Sequence, residues 1–138
     1  MKLLRTISVL TALLLAACSG SASTVTVSKV LLAGELNAKG EIESMQTSFL
    51  PTQDAIFAHA FVEGHTSAIL LRGEWWFDGG KEPPKKIYEA LVTVLPDRPV
   101  AMFTIQSTQQ WPIGDYRLLL FIEEKQLIEL KFTVEKPI

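Results

Sequence analysis

The sequence predicts an all-β fold: one antiparallel β-sandwich of about seven strands, each sheet burying one face. Three observations lead there. From residue 25 onward apolar side chains recur at every second position, the period of a strand, and the three-and-four spacing of a helix face is missing. Glycine, proline and short polar clusters interrupt these runs every 8 to 15 residues. The chain has 138 residues, 48% of them hydrophobic, enough for a single core.

The elements follow in order. Residues 25–36 form the first run and end at Asn37-Ala38-Lys39-Gly40, polar and closed by glycine as a turn is. Residues 55–63 form the next, with Phe57 and Phe61 on one face and Ile56, Ala58, Ala60 and Val62 on the other. Residues 68–78 put Ile69, Leu71, Trp75 and Phe77 on one face and Arg72, Glu74, Trp76 and Asp78 on its reverse. Residues 78–85 hold two glycines and two prolines, which break any ladder and make the longest loop. Strands are then expected at 87–95 and 100–107, split by Pro96-Asp97-Arg98-Pro99. The clearest alternation comes last. Tyr116, Leu118, Leu120 and Ile122 share a face within 116–123, and Ile128, Leu130, Phe132 and Val134 share one within 127–135. Glu124-Lys125-Gln126 lies between them and predicts a hairpin.

The first 24 residues differ in kind. Lys2 and Arg5 precede an apolar stretch, residues 6–17, too short to cross a hydrocarbon layer of ~30 Å as a helix. A basic start, a short apolar middle and a small-residue end mark a secretory signal. Leu15-Ala16-Ala17-Cys18 resembles the lipobox of bacterial lipoproteins, a leucine and two small residues before a cysteine. The resemblance implies cleavage ahead of Cys18, a diacylglycerol on its thiol and an acyl chain on its new amine. Cys18 is the only cysteine, so no disulfide forms within the mature chain. Each buried methylene contributes ~0.8 kcal/mol, and two or more acyl chains make attachment stable. Ser19 follows, where Gram-negative lipoproteins kept at the inner membrane often carry aspartate, so an outer-membrane position in the bacterial envelope is favoured. The organisation expected is a signal peptide at 1–17, the lipidated cysteine and a small polar tether at 18–24, and one domain at 25–138.

Within that domain Trp111-Pro112-Ile113-Gly114-Asp115-Tyr116 is the most informative stretch. Pro112 presets φ at the second position of a turn and Gly114 suits the fourth. The stretch resembles the tyrosine corner of immunoglobulin-like and fibronectin type III-like domains, where a buried tyrosine hydroxyl bonds backbone near a sheet corner. Phe49, Asp54, Trp75 and the final hairpin are laid out similarly to immunoglobulin-like domains of bacterial surface proteins. The paired cysteines of antibody domains are missing. The resemblance therefore implies an architecture and no particular function.

Chemistry is sparse. Removing Lys2 and Arg5 with the signal leaves eleven basic residues against fifteen acidic ones, a net −4, which argues against a nucleic-acid partner. His59 and His65 match no metal-ligand spacing, Glu123 and Glu124 fit a solvated hairpin tip, and no serine or threonine has a nucleophile motif around it. No enzyme activity, metal or cofactor beyond the lipid on Cys18 is expected. Some strands are apolar on both faces. Phe57, Phe61, Trp76, Leu119 and Phe121, if gathered on one outer face, would form a patch for another envelope protein. The rival reading is glycan or cell-wall polysaccharide binding by stacking on Trp76 and Trp111.

Overall fold

The computed structural model describes residues 24–138. The signal peptide, Cys18 and all but the last residue of the tether lie outside the described residues. The described chain is all-β: β1 (Thr26–Ala33), β2 (Ser48–Phe49), β3 (Ala55–Glu63), β4 (Ile69–Asp78), β5 (Lys85–Val94), β6 (Val100–Gln106), β7 (Gly114–Ile122) and β8 (Lys125–Val134). One sheet has the order β1-β3-β6 and the other β2-β8-β7-β4-β5. All pairs are antiparallel except β2 with β8, which is parallel.

Seven of these strands are the seven alternating runs. The eighth, β2, is an addition to the expected count. Two residues cannot display a period of two, and only the position of Phe49 against Val134 reveals the pairing. The final hairpin is also tighter than expected. Ile122 pairs with Lys125, so the turn is Glu123-Glu124 rather than 124–126, and Glu123 takes a left-handed φ of 53°.

The alternation decides the core. Ile56, Ala58, Ala60 and Val62 of β3 and Ala101, Phe103 and Ile105 of β6 meet Leu71, Trp75, Tyr116, Leu118, Leu120, Phe132 and Val134 from the other sheet. Trp75 is 1% exposed and sits at the centre. Phe132 gathers the rings around it, stacking on Tyr116 at 5.1 Å and meeting Phe49 and Trp75 edge-on at 5.7 and 6.0 Å. Gly73 makes room for one of them. A Cβ there would stand 2.8 Å from the Phe103 ring, so the sheets close this tightly only over a glycine.

The loops divide between two ends. At one end the Thr24 carbonyl lies against Gly64, Val62 N–H donates to the Pro99 carbonyl at 2.9 Å, and Arg72 reaches the carbonyl of Glu123 in the β7–β8 turn at 2.8 Å. The chain's start, the β3–β4 and β5–β6 loops and the hairpin tip therefore share this end. Residues 34–47, 79–84 and 107–113 occupy the other.

Candidate functional site

The outer faces of the two sheets are where a ligand or partner can reach the domain, and the register states what stands on each. On the three-stranded sheet Phe57, His59 and Phe61 project outward from β3. Ala33, Leu31 and Lys29 of β1 flank them on one side and Thr104, Met102 and Val100 of β6 on the other. On the five-stranded sheet Leu70, Arg72, Glu74, Trp76 and Asp78 project from β4. They lie between Thr93, Leu91 and Glu89 of β5 and Phe121, Leu119, Arg117 and Asp115 of β7.

The expected single patch is therefore not formed. Phe57 and Phe61 belong to one sheet, Trp76, Leu119 and Phe121 to the other, and the outward faces of a two-layer sandwich point in opposite directions. The three residues of the five-stranded sheet are also less bare than a patch requires. Leu119 is 9% exposed and stands in register between Glu74 and Glu129. The Arg72 guanidinium lies 4.5 Å from the centre of the Phe121 ring and covers it. Trp76 is half-buried, and its indole N–H donates to Glu74 at 3.1 Å.

Arg72 and Glu74 organise this face. Glu74 is 8% exposed, yet both its oxygens are used, one by Arg72 Nε at 3.1 Å and the other by Trp76. Arg72 Nε also lies 3.2 Å from Glu89 on β5, and Lys86 lies 3.5 Å from the same carboxylate. One guanidinium thus ties β4 to β5 and to the hairpin turn and lies over the Phe121 ring. Beyond it lies a depression of about 670 Å³ lined by Asp78, Asp115, Glu129 and Glu135 together with Arg117 and Lys131, charges of both signs with the acids in excess.

The apolar exposure lies elsewhere on the same face. Leu70 and Leu91 are 57% and 64% exposed, diagonal neighbours at the end of the sandwich where the chain begins. The alternation does place both residues outward. Which outward positions lie under a long charged neighbour depends on cross-strand register, and the sequence does not display it.

Trp111 is a correction to the glycan reading. It is 5% exposed and part of the core, its indole N–H donates to the Gln53 carbonyl, and its ring meets Tyr116 edge-on at 6.0 Å. It has no face free for a sugar. The turn that buries it is the corner expected from Pro112 and Gly114. The Tyr116 hydroxyl donates to the Pro112 carbonyl at 2.6 Å, and burial pushes the phenol up to about 12.

His59 stands on the outward side of β3 but is 5% exposed, set between Leu31 and Met102, and burial lowers its pKa below the ordinary 6.5. His65 lies in the β3–β4 loop with Nε2 3.0 Å from the Leu95 carbonyl. Among the described residues no three histidine, cysteine or acidic side chains converge.

The strand order, the buried Trp75 and the bond from Tyr116 to Pro112 define an immunoglobulin-like β-sandwich. A comparison with solved structures agrees. An immunoglobulin-like protein from Pseudomonas aeruginosa superposes on 84% of this chain and 100% of its own, with a TM-score of 0.56 at 15% identity. At that identity the likeness concerns the fold. No family model matches the chain, and no curated protein matches it.

Proposed function

We propose that this protein is a bacterial envelope lipoprotein, anchored through Cys18, whose immunoglobulin-like domain serves as a non-catalytic contact module for another envelope protein. The observation that carries the contact reading is the pair Leu70 and Leu91. Two large aliphatic side chains, more than half exposed and adjacent on the outer face of β4 and β5, stand beside the Arg72–Phe121 pair. An apolar centre with a charged and aromatic border is the composition of a protein contact. The anchor reading rests on Leu15-Ala16-Ala17-Cys18 and on the small polar tether after it.

Each half has its own test. Labelled palmitate attaches to the wild type and is lost in Cys18→Ala; labelling of that variant refutes the anchor. A photo-crosslinker at Leu91 captures a defined envelope protein in cells, and Leu70→Glu/Leu91→Glu abolishes the capture with an unchanged melting temperature. Capture that survives both charges refutes the surface.

A further inference from the structure

A two-sheet sandwich has four edge strands, and a bare edge is a template for another strand. Here three edges are protected. On β1, Leu32 already has both backbone groups engaged: Gln46 N–H donates to its carbonyl at 2.8 Å and its own N–H points to Met45 Sδ at 3.1 Å. A bulge between Val27 and Lys29 bends the rest of that strand. Strand β2 is two residues long. Strand β5 follows Pro83-Pro84, carries Lys85, Lys86 and Glu89, and meets a bulge at Trp75/Trp76. Strand β6 has none of these devices. Val100-Ala-Met-Phe-Thr-Ile-Gln106 contains no charge and no proline, its register with β3 is unbroken, and no charged residue occurs from Pro99 to Gly114.

The free groups of β6 can be assigned. Val62 N–H donates to Pro99 and Ser107 N–H donates to Asp54, so the odd-numbered residues of β6 turn their backbone toward β3. Val100, Met102, Thr104 and Gln106 therefore turn theirs outward, where among the described residues no hydrogen-bond partner meets them. Met102 is 60% exposed, and an open groove of about 570 Å³ lined by Phe57, Tyr88, Thr104, Ile105 and Gln106 runs beside the strand.

We propose that β6 pairs antiparallel with β6 of a second copy about a two-fold axis at Phe103, joining two three-stranded sheets into one of six strands. Three observations select a second copy as the occupant. The four outward-facing residues are centred on Phe103, so the two-fold sets Met102 against Thr104 and Val100 against Gln106 and satisfies all of them. The strand is uncharged, so self-pairing opposes no like charges. The far edge of the sheet, β1, is blocked at Leu32 by Met45 and Gln46 and bent by the bulge at Val27/Lys29, which opposes pairing there and favours closure at two copies. The inference uses a different surface from Leu70 and Leu91 and stands whether or not Cys18 is lipidated.

The test uses the full chain purified in detergent. Sedimentation gives twice the chain mass for the wild type. Met102→Cys/Thr104→Cys forms a disulfide-linked dimer on oxidation, while Leu70→Cys/Leu91→Cys yields no such dimer. Met102→Lys/Thr104→Lys sets lysine against lysine and abolishes the dimer with the melt unchanged. Thr104→Pro, which removes an outward N–H and spares the ladder to β3, abolishes it as well, and circular dichroism confirms the fold of both variants. A wild type that sediments as one chain at every concentration overturns the proposal. So does a dimer that persists in the folded lysine variant, or one whose oxidative crosslink forms only through residues 70 and 91.

Discussion

Substituting Tyr116 by phenylalanine isolates one hydrogen bond. The ring keeps its stack on Phe132 at 5.1 Å and its contact with Phe77 at 4.9 Å; what disappears is the hydroxyl that donates to Pro112 at 2.6 Å. An intramolecular hydrogen bond of this kind contributes about 1 kcal/mol net, and a carbonyl left without its donor adds up to about another 1 kcal/mol. The expected loss is thus about 1–2 kcal/mol, or roughly 4–8 °C in melting temperature for a domain of this size. Tyr116→Ala also empties the ring's space and costs about 3–5 kcal/mol. Urea unfolding checks both, with the midpoint falling and the slope unchanged. The buried phenol has a pH signature of its own. Burial raises the phenol's pKa from 10.0 to about 12, so its contribution is complete below pH 10 and disappears as pH climbs from 10 to 12. Absorbance of the phenolate should report a late-titrating tyrosine that vanishes in Tyr116→Phe. A phenylalanine variant as stable as the wild type, with an unaltered alkaline profile, would mean that the corner is held by Pro112 and Gly114 alone.

Three further outcomes are expected. Gly73→Ala forces a methyl to 2.8 Å from the Phe103 ring and lowers stability by about 1–3 kcal/mol in thermal melts. Arg72→Ala costs about 2 kcal/mol in denaturant unfolding, well above the 0–1 kcal/mol typical of an exposed pair such as Lys86–Glu89, because it strips Glu74 of its cation and Phe121 of its cover. His59 is held neutral by burial, so its contribution is whole above pH 6.5 and fades as pH falls below it. His59→Leu should flatten the acid limb of a stability–pH curve.

What could be read in advance was whatever repeats along one strand. The inward residues of β3, β4, β7 and β8 announce themselves by period two, and the corner at Trp111–Tyr116 by a proline and a glycine at fixed offsets. What could not be read depends on which strand lies beside which. Phe57 and Trp76 look equivalent in one dimension and end on opposite sides of the molecule, because β3 and β4 enter different sheets. Trp111 stands between two strand runs, where no alternation says whether its ring is buried; the loop folds over the sandwich mouth and its indole N–H donates to the Gln53 carbonyl from 58 residues earlier. The alternation places Arg72 on the outward face and no more; only the register with β5 and β7 shows it lying over Phe121 and pairing with Glu89.

The position of Thr24 beside Gly64 shows at which end of the sandwich the chain enters, and so which end an anchor ahead of it would keep near a membrane. Residues 19–24 extend at most roughly 20 Å when fully drawn out, at ~3.3 Å per residue. With a lipid on Cys18, the Glu123-Glu124 tip and the Leu70 and Leu91 side chains would face the bilayer at close range, while residues 34–47 and 107–113 would look away from it. Whatever docks on those two leucines would then have to do so within a short leash of the headgroups, which points to a partner that is itself held at that surface.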